Sequence, residues 1–388
     1  MSEILTKRSP ALDGVRGLAL VIVVVHNTAW VSGPSSQLAV KLYTAAAAAG
    51  WVGVQLFFVL SGLLITTILL NTRDSPEYFR RFFLRRALRI FPLYYVAIAS
   101  TVLLAKTVAT NTAWADSVSR HQWAYWAYLS NWTEPLVGGI PGLPHVWSLA
   151  VEEQFYLLWP VVLWRMPLPA LRGLALAILV AAPAVRFGML SAGMSPLSVY
   201  SFTIARADAL VVGALLALCL RDAPLRTRLL RWLPAITVVV TLLLGGLILR
   251  QHGLHHDETA VLIVGQSLVA LLAACLIAWT QYDDVPMGVK VGDLLNNTIL
   301  RDLGKYSYGV YLVHVPLHVL LRGYFTPFVR ASDGPLHLPR LVAYTLLVLT
   351  FSYVVARITW RLIEHPALRL KNRWAPPSTR VGSDTAAA

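Results

Sequence analysis

An arginine, nine mostly apolar residues and a histidine open the first apolar run of the chain, RGLALVIVVVH from Arg16 to His26. An ionisable side chain inside such a run is costly and is kept for a task or satisfied by a partner. Histidine can take a proton from a hydroxyl near neutral pH and return it, and arginine supplies fixed positive charge. On a regular helix the two lie about 15 Å apart along the axis, so they suit different ends of one ligand rather than a direct pair. The alternative is structural, with His26 bonded to a neighbouring helix and Arg16 reaching to headgroups.

Further polar clusters sit in other apolar runs. In PHVWSLAVEEQFYLLWP, residues 144–160, His145, Ser148 and Glu152 share a helix face and Glu153 points about 100° away. Either glutamate can orient His26 or hold an acceptor hydroxyl, or both can anchor a helix end. FTIARADALVVGALLA, residues 202–217, places Arg206 and Asp208 two positions apart, so each needs a partner elsewhere, as a ligand site or an ion-pair network. GKYSYGVYLVHVP, residues 304–316, carries Tyr308, Tyr311 and His314, readable as site residues or as an aromatic belt. RLIEHP, residues 361–366, places Glu364 and His365 just past the last run. Together these clusters imply a polar interior, as in a membrane enzyme or a transporter.

The elements that must position these groups are long apolar helices. The chain is 57% hydrophobic and 13% charged, with mean hydropathy +0.62, against about 25% charged residues in an ordinary soluble domain. About ten spans long enough to cross a bilayer are expected, at 14–31, 50–70, 92–110, 145–164, 173–190, 198–220, 232–249, 260–279, 303–321 and 340–360. The fold class is therefore an all-α polytopic membrane bundle over residues 10–370, with a disordered, Pro- and Ala-rich tail at 371–388. The N-terminus lacks the small-residue cleavage pattern of a secretory signal, so the first span should be retained.

The formal charge of +14 is not a nucleic-acid footprint, because the arginines fall in alternate loops. That bias places the basic side and both termini in the cytoplasm of a bacterial cell membrane. EYFRRFFLRRALRIFP, residues 77–92, reads as a short interfacial helix on acidic lipid headgroups, with Pro92 opening the next span. Its arginines also suit bidentate phosphate recognition. Cys219 and Cys275 lie in apolar runs as small hydrophobes, and no metal site is expected. The loop with His252, His255, His256 and Asp257 reads as a polar outer loop. No P-loop, dinucleotide fingerprint or internal repeat is visible, which argues against transporters built from matching halves.

LDGVRGLALVIVVVH (12–26), FFVLSGLLI (57–65), RRALRIFPLYY (85–95), HVWSLAVEEQFYLLWP (145–160), RADALVVG (206–213), GKYSYGVYLVHVP (304–316) and RLIEHP (361–366) occur in order. Together they resemble acyltransferase family 3, the bacterial integral-membrane O-acyltransferases. The resemblance implies transfer of an acyl group, often acetyl, from cytoplasmic acyl-CoA to a hydroxyl, with acyl-CoA as co-substrate and no permanently bound cofactor. It implies His26 as general base with Glu152 and Glu153 beside it. Arg16, Arg85, Arg86 and Arg89 would hold the donor, and from the polar clusters themselves His145, Arg206, Asp208, Tyr308 and His314 are the residues expected to hold the substrate. The expected acceptor is a cell-envelope glycan or glycolipid, or alternatively a macrolide antibiotic. The chain ends soon after its last span, so it is expected to act without an appended extracytoplasmic domain. One residue fewer than usual in the family separates Arg16 from His26, which turns His26 about 80° from the face of Arg16.

Overall fold

The computed structural model describes residues 10–108, 110–281, 286–331 and 334–374. In chain order the helices are α1 (Pro10–Thr28), α2 (Leu38–Ala48), α3 (Val52–Thr72), α4 (Tyr78–Thr107), α5 (Ala113–Trp126), α6 (Ser130–Val137), α7 (Trp147–Arg165), α8 (Leu168–Ser191) and α9 (Pro196–Ser201). They continue with α10 (Thr203–Arg221), α11 (Ala223–Gln251), α12 (Gln266–Trp279), α13 (Pro286–Leu295), α14 (Thr298–Lys305), α15 (Ser307–Val329), α16 (His337–Thr359) and α17 (His365–Trp374). Two π-helical turns, Val261–Gly265 and Trp360–Glu364, lead into α12 and α17. The fold is all-α among the described residues.

Buried residues surround α3, which makes it the centre of the bundle. It packs along α10, and α1 packs along α14. Small residues permit both approaches: a Cβ on Gly62 of α3 would run into the Leu210 carbonyl, and one on Gly213 of α10 into the Val59 carbonyl. A Cβ on Gly304 of α14 would strike the backbone of Asp13.

Among the described residues eight helical stretches are long and apolar enough to cross a membrane, against the ten expected. The two that fall short are α7, with Glu152 and Glu153 in its first half, and α15, with its tyrosines and histidines. Their polarity is what the interior of the bundle requires. A second departure is α4. The expected break at Pro92 is absent, and one 30-residue helix runs from the arginine-rich segment through the proline. Pro92 withdraws a single N–H, and beside it the Ile90 carbonyl accepts a hydrogen bond from the Tyr308 hydroxyl at 2.7 Å. Most of the expected tail, and the basic residues Lys7 and Arg8 ahead of the first span, lie outside the described residues.

Candidate active site

Arg16 in the first half of α1, Arg86 and Arg89 on α4, Glu152, Glu153 and Tyr156 on α7, and Tyr308 on α15 line one open cavity. Its empty space, including the mouth, is about 840 Å³. Val54, Phe57, Phe58, Leu60 and Leu64 of α3 give it an apolar wall. Arg16 pairs with Asp13 one turn earlier at 3.3 Å, and Arg86 lies 4.5 Å over the Tyr156 ring. The Tyr156 hydroxyl donates to Glu152 at 3.0 Å and meets Ser61 in a short hydrogen bond. Arg86 and Arg16 are the cationic neighbours of Glu152, and Arg86 is that of Glu153. The result is a pocket with fixed positive charge, two carboxylates and an apolar wall. Arg85 lies on α4, half-buried, outside this lining.

Ser148 and Tyr311 close the cavity on its inner side. Their hydroxyls lie 2.6 Å apart, and the Tyr311 hydroxyl also reaches the His145 carbonyl at 3.0 Å. Behind them His145 and His314 stack edge to face, with ring centres 5.1 Å apart. His314 Nδ1 faces the Tyr311 carbonyl at 2.6 Å, so it carries the hydrogen. Its Nε2 is then an acceptor, and the Asn27 amide donates to it at 3.2 Å. Asn27, eleven positions after Arg16, is therefore the residue that continues the cavity-facing side of α1.

His26 sits one position earlier and faces a different neighbourhood, as the shortened spacing predicts. Its Nδ1 lies 2.7 Å from the Ala47 carbonyl, which can only accept, so Nδ1 donates and Nε2 keeps its lone pair. Its ring lies 6.1 Å from that of His256, whose ring is 4.7 Å from Tyr200. Gly50 makes this placement possible, because a Cβ there would come within 2.5 Å of the His26 Cβ. His26 is half-buried and is not among the residues lining the cavity. Burial is the first cause that lowers the His256 pKa, with His26 a second, so this loop histidine is held neutral. Sequence reasoning left His256 in a polar loop. Only the folded chain turns it inward.

The RADAL segment splits between two roles. Asp208 pairs with Arg186 of α8 at 2.8 Å, both fully buried, and accepts from Ser267 at 2.6 Å. It does not line the cavity. Arg206 faces the other way, into the rings of Phe58, Trp147 and Tyr200. Among the described residues no group of three or more His, Cys, Asp or Glu side chains could hold a metal.

These features define a class: a helical membrane protein whose interior holds a cationic, carboxylate-bearing cavity. The family model described as "Acyltransferase domain" matches residues 9–357, and the chain belongs to that family, acyltransferase 3. YrhL of Bacillus subtilis (strain 168), named for peptidoglycan O-acetyltransfer, is 31% identical over 92% of this chain and 54% of its own length. The peptidoglycan O-acetyltransferase OatA of Listeria monocytogenes is 28% identical over 93% of this chain and 56% of its own. SAR0937 of Staphylococcus aureus (strain MRSA252), named for O-acetyltransfer, is 26% identical over 96% and 60%. The chain thus spans little more than half the length of these curated relatives. No solved structure matches it.

Proposed function

We propose that this chain moves an acyl group from acyl-CoA to a hydroxyl of a cell-envelope glycan or glycolipid, with the donor entering from the cytoplasmic side. The observation that carries this reading is the cavity that joins Arg16, Arg86 and Arg89 to an apolar wall and an inner side of hydroxyls. Arginine forks match phosphate oxygens. The apolar wall suits the uncharged arm between those phosphates and the thioester.

His26 is the base in this reading. Its Nδ1–H is held by the Ala47 carbonyl, so Nε2 takes the acceptor's hydroxyl proton. The freed oxygen attacks the thioester carbonyl, a C–O bond forms and the C–S bond breaks. The proton passes on to the leaving sulfur, giving CoA thiol and the ester. Arg86, Arg89 and Arg16 bind the donor, while Glu152 and Glu153 orient groups in the cavity. His145, Tyr308 and His314 shape its inner side.

The names of the relatives, two of them for peptidoglycan O-acetyltransfer, favour an envelope glycan over a macrolide. The test is transfer by the purified protein in detergent from labelled acetyl-, propionyl- and isovaleryl-CoA to peptidoglycan fragments and to a macrolide. Ester on the glycan is the expected product. Ester on the macrolide alone would replace the acceptor class, and no ester on either would overturn the reading.

A further inference from the structure

Among the described residues two arginines are fully buried, each at 0% exposure, and their surroundings are opposite. Every nitrogen of Arg186 is bonded. Its Nε and Nη2 donate to the Ile263 carbonyl, Nη1 to the Ala205 carbonyl and Asp208, and Nη2 also to Ser267. The Ile263 carbonyl belongs to the π-turn Val261–Gly265, a turn type that often marks function. Arg186 is a finished structural network. Arg206 is the reverse: Nε, Nη1 and Nη2 all lack a hydrogen-bond partner among the described residues.

The surroundings of Arg206 supply shape without acceptors. Its guanidinium lies 4.8 Å from the centre of the Tyr200 ring and 5.4 Å from those of Phe58 and Trp147. Aromatic faces attract the cation but leave its N–H groups unmet. Unmet buried donors are rare and costly, and each calls for an explanation such as stored strain, a catalytic role, or a bound water or ion. The Asp208 carboxylate, two positions on, is already committed to Arg186, so the sequence offers no local partner.

Position decides which ligand. Phe58 lines the arginine-rich cavity, and Trp147 is the neighbour of Ser148 on its inner side. On the opposite side Tyr200 touches His256, which touches His26. Arg206 therefore stands between the donor cavity and the histidine proposed as base. Arg206 is fully buried and does not itself line the cavity, so an acyl group would reach it past Phe58.

We propose that Arg206 is a catalytic residue whose free N–H groups hold the acyl carbonyl oxygen at the partition and stabilise the oxyanion formed during transfer. This deepens the acyl-transfer reading above and rests on it. When the acceptor oxygen adds to the thioester carbon, the carbonyl electron pair moves onto that oxygen. Arg206 holds the resulting charge in a water-poor site, where fixed donors act most strongly. Collapse restores the carbonyl, expels the thiolate, and the proton held by His26 passes to sulfur. Nothing further is consumed or oxidised.

The experiment compares Arg206→Met, Arg206→Lys and Arg186→Met in purified protein, with kcat and KM for acetyl-CoA and thermal melting as readouts. Losing one oxyanion donor typically costs about 100- to 1,000-fold in rate. R206M is expected to lose about that much kcat while KM stays within about threefold, because ground-state binding remains. R206K, which keeps charge but not the fork, should recover only part of it. Removing an unpaired buried charge should leave the melting temperature unchanged or raised, whereas R186M strands Asp208 and should melt lower. The proposal is overturned if R206M keeps kcat within threefold of wild type, if only KM changes, or if R206M melts as low as R186M. Wild-type protein that transfers no acyl group fails the functional reading itself. Full wild-type transfer that survives R206M fails this proposal alone.

Discussion

The two ends of the bundle are built from different materials. At the arginine-rich end an open cavity is lined by Arg16, Arg86, Arg89, Glu152 and Glu153. At the other end His26, His256, Tyr200 and Trp147 sit in ring-to-ring contact, with no carboxylate among them. The first region, in the proposed reading, is the docking site, where its arginines would capture a large anion. The second, in the proposed reading, is where a proton is transferred, and its histidines pack against aromatic rings. Under the proposed function, donor binding falls to the cavity and proton transfer to the histidine region, with Phe58, which lines the cavity and faces Arg206, between them.

That division is broken most directly at His26. H26A should lower kcat about 1,000-fold, the scale of a lost general base, and leave KM for acetyl-CoA nearly unchanged. Steady-state transfer of labelled acetyl checks it. A parallel rise in KM would move His26 into the docking region. The complementary change is Arg86→Ala with Arg89→Ala. It should raise KM for acetyl-CoA about 10- to 100-fold, since charged hydrogen bonds to phosphate are lost, with kcat held within about threefold. The KM penalty should shrink as salt is raised. A fall in kcat at saturating donor would merge the two regions into one.

Much of the docking region was legible in the sequence, because its members are charges placed at unusual points in apolar runs. Arg16, Arg86, Arg89, Glu152, Glu153 and Tyr308 are each visible as costly residues, and the fold brings them to one cavity. The chemical region was less legible. Spacing shows that Arg206 and Asp208 cannot pair, but not that Asp208 belongs to Arg186, 22 positions away, while Arg206 faces rings. His256 lies in a loop whose composition looks solvated, and long-range packing alone turns it inward. The same limit explains the helices. Local propensity at Pro92 predicts a break, and the packing that carries α4 through it overrides that propensity.

A smaller change sharpens the comparison by moving the base without deleting it. In G50A the new Cβ would meet the His26 Cβ and, at 2.8 Å, the Ile22 carbonyl, so α1 and the turn after α2 must separate. The Ala47 carbonyl then no longer fixes Nδ1, and kcat should fall about tenfold at unchanged KM, as expected for a base displaced by a fraction of an ångström. Activity equal to wild type would show that the His26–Ala47 bond does not orient the base.

The smallest effect tests whether the loops beside the histidine region act by stability alone. Glu134 on α6 is buried, and burial raises its carboxyl from 4.5 to about 8. Its Oε2 has no hydrogen-bond partner among the described residues. The same helix is tied to the start of α10, because the Asn131 amide donates to Thr203 at 2.9 Å. Below pH 4.5 folded and unfolded chains both carry the proton, and Glu134 adds no pH dependence. Between there and pH 8 the unfolded chain releases a proton that the fold retains, so stability falls as pH rises. E134Q removes that loss. Its melting temperature should match wild type at pH 4.5 and exceed it by about 2–4 °C at pH 8, a shift of the size about 1 kcal/mol gives in a large domain. Because Glu134 touches neither the cavity nor His26, kcat at pH 7 should not change. A pH-dependent gap in kcat instead of in melting would mean that α6 transmits its protonation through Asn131 and Thr203 to the helix that carries Arg206.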